Sequence, residues 1–362
     1  MKKPSYFLEI TETASEMVSF ESDYDNGMLP EILENLAAAN GEKCSGYGYD
    51  PYSEKAKSKI QKAIGKDDAE VFFLVGGTQT NATVIDSLLL PCEGVICVET
   101  AHIAVHESGA VEASGHKVIT LPTSDSKMNA GCLAAYMDKF LSDETYPHMV
   151  QPGMVYITMP TEHGMVYTKE ELTDIYDTCR HYGLKLYVDG ARLGYGLMSD
   201  ACDYDLKFLA DHCDAFYIGG TKVGAMMGEA VVFSNIPAPK YFFTTVKRHG
   251  ALLAKGRMLG IQFDTLFTDG LYFRVSRHAI DMAARMKGIF ISAGIPLAMN
   301  SPTNQQFVRL TRHQYDCLSC LIRFEIWEPR ETDEIVCRFV TSWATTSDDL
   351  TALEDALRTL SQ

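Results

Sequence analysis

The sequence predicts an α/β protein with a large, mostly parallel sheet covered by helices on both faces, followed by a smaller α+β lobe. Two observations predict this architecture. Between about residues 69 and 233, short runs rich in β-branched and aromatic residues alternate with helical stretches. Beyond about residue 270 that alternation ends. We therefore expect an N-terminal segment over 1–40, a large domain over 41–265 and a small C-terminal domain over 266–362.

Seven runs have the apolar composition of strands that are buried on both faces. They are EVFFLV (70–75), GVICV (94–98), KVITL (117–121), MVYIT (154–158), LKLYV (184–188), DAFYI (214–218) and EAVVF (229–233). Helices are predicted between them, from about Thr80 to Leu90 and from about Lys169 to Tyr182. The second has a capping-box spacing at Thr168 and Glu171 and ends before Gly183.

The C-terminal part has a different pattern. A long amphipathic helix over about 273–293 precedes the strand-like runs QFVRL, RFEIW and EIVCRFVTSW, and a helix near 348–360 closes the chain. This order predicts the small α+β domain. A further helix around 30–39 is expected to pack with that domain or with a partner subunit.

Composition excludes several classes of function. The formal charge of −16 argues against nucleic-acid binding, because the phosphate backbone would be repelled. The longest apolar runs, such as VIDSLLL, are too short to span a bilayer, and no basic-then-apolar segment predicts a signal peptide. The ten cysteines are irregularly spaced, and the CLSC run at Cys317 and Cys320 has no second CxxC. We expect reduced thiols in a cytoplasmic protein and no metal site.

Asp189 and Lys222 each follow a short apolar strand, in the runs LYVDGARLG and YIGGTKVGA. Ligands of such sheets bind beyond the carboxyl ends of the strands. A lysine there can form a Schiff base with an aldehyde, and an aspartate can keep a pyridinium nitrogen protonated. Taken alone, Asp189 is equally explained as a helix cap and Lys222 as a surface charge. Their order after a glycine-rich turn predicts pyridoxal phosphate (PLP) as the cofactor.

That glycine-rich turn is the run VGGTQTNA (75–82), which follows a strand and opens a helix. Gly76 and Gly77 permit close backbone approach, and a helix start offers unpaired N–H groups to an anion. Thr78 and Thr80 add hydroxyls. The run matches neither GxGxxG nor GxxxxGK[ST], so a dinucleotide or ATP site is not indicated. We interpret it as a phosphate cup, with a plain strand–helix turn as the alternative.

Five further residues are candidates for chemistry at the same edge of the sheet. His102, in AHIAVHESGA, can lie over a planar ring or accept a proton; the alternative is a histidine at a domain seam. Glu162 and His163, in MPTEHGMVY, are candidate acid–base groups for a substrate hydroxyl, or else a salt-bridged loop. Arg192 and Arg338 can each bind a substrate carboxylate through a bidentate fork.

Taken together, these residues resemble the L-threonine aldolase group within the β-eliminating lyase-related family of fold type I PLP enzymes. The resemblance runs from SFESDY near the N-terminus to RFVTSW near the C-terminus. Its most specific runs are GYGYDP (46–51), GGTQTN (76–81), AHIAVHESGA (101–110), YVDGARL (187–193), GGTKVGA (219–225) and ALLAKGRMLG (251–260). It implies the PLP-dependent transferase fold, fold type I, which is aspartate aminotransferase-like.

The resemblance also implies roles for individual residues. Lys222 would carry the cofactor, Asp189 would pair with the pyridine nitrogen, and His102 would stack on the ring. The phosphate would be held by Gly77 and Thr78, and the substrate carboxylate by Ser22, Arg192 and Arg338. Arg192 and Arg257 are expected at the cofactor and Tyr47 at the substrate. Since Arg257 and Tyr47 match positions that reach a neighbouring subunit, the resemblance implies a homodimer or homotetramer with its active site at the subunit interface.

The implied reaction is the retro-aldol cleavage of a β-hydroxy-α-amino acid. The expected substrates are L-threonine or L-allo-threonine, giving glycine and acetaldehyde, or the bulkier phenylserine. One run departs from the family: where a histidine of THNG is expected, TEHG places Glu162, with His163 one position later. A carboxylate can serve as the base directly or through water. The alternatives are a β-eliminating lyase acting on another amino acid and a non-catalytic module that binds a phosphorylated ligand.

Overall fold

A seven-stranded sheet forms the centre of the protein, as seen in a computed structural model that describes residues 17–327 and 334–360. Its strands are β1 (Glu70–Leu74), β2 (Glu93–Val98), β3 (Val118–Leu121), β4 (Gln151–Thr158), β5 (Lys185–Asp189), β6 (Ala215–Gly219) and β7 (Glu229–Phe233). They lie in the order β1-β7-β6-β5-β4-β2-β3. Strand β7 runs opposite to the other six strands of this sheet. The predicted large, mixed and mostly parallel sheet is therefore confirmed.

The strands are apolar because both faces of the sheet are covered. All five residues of β6 and of β7 are buried, as expected for a sheet packed between two helix layers. The helices that precede β7 along the chain are α1 (Pro30–Ala38), α2 (Pro51–Ile64), α3 (Gly77–Leu88), α4 (His102–Val105), α5 (Ala110–Ala113), α6 (Ala130–Ser142), α7 (Lys169–Tyr182), α8 (Leu193–Met198) and α9 (Leu206–Asp211). After it come α10 (Phe242–Arg248), α11 (Arg257–Leu266), α12 (Leu271–Ser292), α13 (Arg312–Leu318) and α14 (Ser347–Thr359).

Local capping explains where α7 begins and ends. The Thr168 hydroxyl accepts from the Glu171 N–H, and the Glu171 carboxylate accepts from the Thr168 N–H, which satisfies two otherwise unpaired donors. Gly183 then ends the helix with a φ of 69°, a conformation that glycine adopts without steric cost. The observed bounds are those the sequence predicts.

Within the described part of the chain, none of the helices is long and apolar enough to cross a membrane.

The small lobe contains a four-stranded antiparallel sheet in the order β10-β11-β9-β8. Its strands are β8 (Leu297–Met299), β9 (Gln305–Thr311), β10 (Glu325–Ile326) and β11 (Glu334–Val340). A second hydrophobic core lies beneath it, and α12 and α14 contribute to that core. This confirms the predicted smaller α+β part.

Residues 17–38 divide between the two cores, so the helix around 30–39 does not pack with the small domain; its packing with a partner subunit stays a prediction. The Phe20 N–H donates to the Arg323 carbonyl of the small lobe at 2.8 Å. Helix α1 instead buries Ile32 in the large core, and the Asn35 amide donates to the Thr265 hydroxyl of α11 at 2.9 Å. The helix lies there because its apolar face meets α11 rather than the small sheet.

Candidate active site

A cavity of about 300 Å³ lies where the central strands of the large sheet end. This volume falls at the lower limit of the usual range for ligand pockets. The cavity brings together seven of the residues predicted from the sequence: Gly77, Thr78, His102, Glu162, Asp189, Arg192 and Lys222. They come from strand ends, helix starts and loops. These meet because the carboxyl ends of parallel strands share one edge of the sheet.

Asp189 is the last residue of β5 and is only 2% exposed. Its Oδ2 accepts hydrogen bonds from the Asn81 amide at 2.9 Å and the Tyr156 hydroxyl at 2.5 Å. Its Oδ1 accepts from the Ala191 N–H at 2.9 Å. Three donors thus hold the carboxylate in one orientation at the cavity wall, as a partner for a pyridinium nitrogen must be held.

Lys222 lies in the loop between β6 and β7 and lines the same cavity. Its side-chain nitrogen is 6.0 Å from the centre of the Tyr24 ring. Burial, and after it the nearby charge of Arg192, lowers the pKa of Lys222 to about 8. A much larger fraction of this amine is therefore neutral near pH 7 than for an ordinary lysine, and the neutral amine is the nucleophile that attacks an aldehyde.

The phosphate cup predicted from the sequence lies at the start of α3. Gly76 immediately precedes the helix, and Gly77 and Thr78 form its first turn at the cavity. The first N–H groups of a helix have no partner within it, so they can bind an anion. A Cβ on Gly77 would lie 3.2 Å from the Tyr217 hydroxyl oxygen. A larger side chain there would crowd the cup.

The ring of His102 is oriented by a buried carboxylate. Its Nδ1 lies 2.8 Å from Glu107 Oε1, which also accepts from the Asn81 amide at 2.7 Å. Since that amide also donates to Asp189, one side chain connects the supports of His102 and Asp189. The sequence analysis did not single out Glu107 as a site residue. It lines the cavity, and the signal for this was its position five residues after His102.

Glu162 is a buried carboxyl in the cavity wall. Its Oε1 accepts from the His102 N–H at 2.9 Å and the Thr158 hydroxyl at 2.8 Å. Its Oε2 has no hydrogen-bond partner among the described residues. Burial, and to a smaller extent the charge of Asp189, raises the pKa of Glu162. The carboxylate is therefore a stronger base than an exposed glutamate, with one oxygen available.

Arg192 is paired within the protein. Its Nε and Nη2 donate to Oδ2 and Oδ1 of Asp23 at 2.7 and 3.0 Å. Although burial raises the pKa of Asp23, the charges of Arg192 and Lys222 outweigh it and hold that pKa below its usual value. Sequence reasoning expected Arg192 at the substrate carboxylate and at the cofactor, and it missed Asp23 as a partner. Two of the five guanidinium N–H groups face Asp23, and the other three can serve a ligand.

Arg338 and His163 do not line the cavity. Arg338 donates to Gln305 at 2.9 Å, forms an ion pair with Glu325 and lies 4.9 Å from the centre of a Trp327 ring. The His163 ring packs edge-on against Trp327, with ring centres 6.0 Å apart. Both side chains therefore belong to an aromatic and polar cluster beside the small sheet. The adjacent residues Glu162 and His163 point to different surroundings, which their spacing did not reveal.

Three further predicted residues also lie outside the cavity of their own chain. The Ser22 hydroxyl donates to Asp25 at 2.6 Å. Tyr47 is exposed, with the Lys247 side-chain nitrogen 4.9 Å from its ring centre. The Arg257 guanidinium donates to the backbone carbonyl of Glu42 at 2.6 Å. Tyr47 is exposed and Arg257 is half-buried, so both reach the surface of the chain.

The residues that line the cavity fit PLP. A lysine, a fixed carboxylate and a glycine-rich helix start face one space, and a histidine with an oriented ring lies beside them. The buried Oε2 atoms of Glu107 and Glu162 have no hydrogen-bond partner among the described side chains. Within residues 17–327 and 334–360, no group of three or more His, Cys, Asp or Glu side chains could hold a metal ion.

The sequence is similar to those of known PLP-dependent lyases, as the geometry of the cavity suggests. The sequence profile of the beta-eliminating lyases matches residues 20–333. The low specificity L-threonine aldolase of Pseudomonas sp. is 32% identical over 308 residues, covering 83% of this chain and 86% of that protein. The corresponding protein of Saccharomyces cerevisiae is 24% identical, covering 75% and 68%.

Solved structures give the same result. A threonine aldolase from Leishmania major is 39% identical, with a TM-score of 0.92 over 95% of this chain and 100% of that one. An aspartate aminotransferase from Thermus thermophilus, 15% identical with a TM-score of 0.69 over 95% and 91%, shares the fold alone. The predicted fold type I architecture is thereby confirmed. The chain belongs to the beta-eliminating lyase family, as its sequence motifs indicated.

Proposed function

We propose that this protein is a PLP-dependent carbon–carbon lyase that cleaves threonine or allo-threonine to glycine and acetaldehyde. One observation carries the proposal: Lys222, Asp189 and the free oxygen of Glu162 belong to a single cavity. These groups supply an amine, a fixed anion and a base, which the reaction requires. The names of the relatives from Pseudomonas and Leishmania support the same activity.

Four parts of the cavity would hold the cofactor. Lys222 would bind its aldehyde carbon, Asp189 its ring nitrogen, and the N–H groups at Gly77 and Thr78 its phosphate. His102, fixed by Glu107, would lie against the ring. PLP, when bound, supplies an electron sink for the pair released from Cα. The protein contributes the positions and the proton transfers.

Glu162 is the group we assign to the substrate hydroxyl. Hydrogen bonds from Thr158 and the His102 backbone fix one of its oxygens and leave Oε2 to accept the β-hydroxyl proton. As that proton leaves, the hydroxyl oxygen becomes the carbonyl oxygen of the aldehyde and the Cα–Cβ bond breaks. His163, packed against Trp327, is then not the base.

The substrate carboxylate would bind the N–H groups of Arg192 that do not face Asp23. The pairing with Asp23 keeps the guanidinium in one plane at the cavity wall. A fixed plane favours bidentate binding of a second carboxylate because less side-chain entropy is lost. Ser22 and Arg338 lie outside the cavity, so we assign this role to Arg192 first.

The assembly we propose is a homodimer or homotetramer. Tyr47 and Arg257 lie outside their own cavity, and the surface around them exposes Tyr49 and Phe243. In such an assembly these residues would complete the cavity of a neighbouring subunit. We also propose the division into a large domain over 41–265 and a small one over 266–362, which the two hydrophobic cores support.

Reconstitution with PLP followed by a substrate panel tests the proposal. The protein should gain a visible absorption band that Lys222→Ala lacks and that Lys139→Ala, an exposed lysine on α6, retains. Threonine and allo-threonine should yield glycine and an aldehyde. If the products were a keto acid and ammonia, the protein would be a β-eliminating lyase, and a colourless wild type would exclude both enzymes.

A further inference from the structure

A second buried carboxyl, Glu229, lies beside the loop that carries Lys222. Glu229 is the first residue of β7, is 4% exposed and lines the same cavity. Its Oε2 accepts from the Gly220 N–H at 3.1 Å, and its Oε1 accepts from the Thr221 hydroxyl at 2.8 Å. Those donors are the two residues immediately before Lys222. The carboxyl is therefore held by the segment that positions the lysine.

The hydrogen bonds around Glu229 come from neutral groups. Thr221 itself accepts from the Gly228 N–H at 3.0 Å, so its hydroxyl joins both ends of the loop. Among the described residues, no lysine, arginine or histidine forms a direct ion pair with Glu229. An ionised carboxylate in a buried place costs free energy unless a cation compensates it. The cation that faces Glu229 across the cavity is Lys222.

Burial at this cavity disfavours the charged forms of both Glu229 and Lys222. Burial raises the pKa of Glu229 to about 8, and burial together with Arg192 lowers the pKa of Lys222 to about 8. Asp23 and Asp189 also face the lysine, and Asp189 also faces Glu229. The two shifts bring the pKa values of groups that line one cavity closer together, so a proton can pass between them without a change in total charge.

We propose that Glu229 is the proton partner of Lys222. The ammonium of Lys222 gives one proton to the Glu229 carboxylate, through water in the cavity, and becomes the neutral amine that can attack a carbonyl carbon. The carboxylic acid returns that proton when the lysine is released. One N–H bond breaks and one O–H bond forms, so atoms and charge balance. Glu229 acts through Lys222 and is a positioning residue; this role rests on the proposed function of the lysine.

The pH dependence of cofactor uptake tests this assignment independently of turnover. Apoprotein is mixed with PLP at a series of pH values, and the rate at which the visible band appears reports the neutral fraction of Lys222. The wild type should show a broad profile, wider than one protonation step, because two coupled groups titrate. Glu229→Gln should narrow it to one step and move its midpoint about one unit lower, since an opposing negative charge is lost.

Glu31→Gln is the matched control, because it removes an exposed carboxylate on α1 that does not line the cavity. Its midpoint should equal that of the wild type, with thermal unfolding confirming that both variants fold. Equal shifts in the two variants, or none in Glu229→Gln, would overturn the proposal and leave Glu229 as a loop clamp. The wild type alone is decisive if the variant does not fold: a simple one-proton profile overturns the role. Absence of any band at every pH would overturn the proposed function as well.

Discussion

Asp23 and Arg192 form a bidentate ion pair inside the cavity wall, although 169 residues separate them in the chain. The Asn304 amide also donates to Asp23, at 2.9 Å. The arginine expected to hold a substrate carboxylate is thus already held by a carboxylate of the protein. If Arg192 binds the substrate carboxylate as proposed, substrate recognition and the anchoring of the N-terminal segment depend on the same guanidinium.

We expect Asp23→Asn to lower the free energy of unfolding by about 3 kcal/mol, because it leaves a largely buried arginine without its anion. Asp25→Asn is the control: among the described residues this exposed carboxylate accepts only from serine hydroxyls, and its loss should cost about 1 kcal/mol or less. Urea unfolding at pH 7 measures both. Equal losses would contradict the structural importance of the pair.

The contribution of Asp23 should also depend on pH. Its folded pKa lies below the value of 3.8 expected for the unfolded chain, so the stabilisation is complete above that value and is lost as the pH falls through the folded pKa. The difference in unfolding free energy between wild type and Asp23→Asn should therefore shrink in strong acid. A difference that grows on acidification would show that the sign of this shift is wrong.

Glu162→Gln should lower kcat for threonine cleavage by about 10²- to 10⁴-fold, the usual contribution of a general base. The amide keeps the shape and the acceptor for Thr158 but cannot take the β-hydroxyl proton. His163→Asn should change kcat by much less, because His163 packs outside the cavity. Steady-state kinetics of both variants decide the question, and a larger loss in the histidine variant would reverse the assignment.

Gly77→Val should weaken PLP binding by about tenfold, equivalent to roughly 1.4 kcal/mol. Its side chain would crowd the first turn of α3, where even an added Cβ would lie 3.2 Å from the Tyr217 hydroxyl. Gly41→Val is the control, since a Cβ there meets no atom within 4 Å. Titration of apoprotein by the visible band gives both affinities. Unchanged affinity in Gly77→Val would place the phosphate elsewhere.

Mixed oligomers should show whether Arg257 serves a neighbouring cavity. Lys222→Ala and Arg257→Ala, each of low activity alone, should recover activity when refolded together, because one cavity of each hybrid dimer then contains both wild-type residues. Lys222→Ala refolded with Asp189→Asn is the control and should stay inactive, since those residues share one cavity. No recovery in the first mixture would place Arg257 in the site of its own chain.

Most elements of the large sheet were predictable because their signals are local. The capping box and the closing glycine of α7 lie within the helix ends, and the bounds 169–182 agree with the sequence prediction. The sequence predicts β4 over 154–158, but the strand begins earlier, at Gln151. Its first residues, Gln151 and Pro152, are added by pairing with β2. That pairing depends on a neighbouring strand and leaves no pattern in its own sequence.

The sequence by itself determined the fold class, the family and the convergence of Asp189 and Lys222 on one cavity, because residues at the carboxyl ends of parallel strands share one edge of the sheet. Only the tertiary structure decided the partners of the charged groups. Asp23 lies far from Arg192 in the chain, and Glu229 was read as part of an ordinary strand. Charges in a protein interior are compensated by whichever groups the fold brings near, and the spacing of residues along the sequence does not reveal which groups those are.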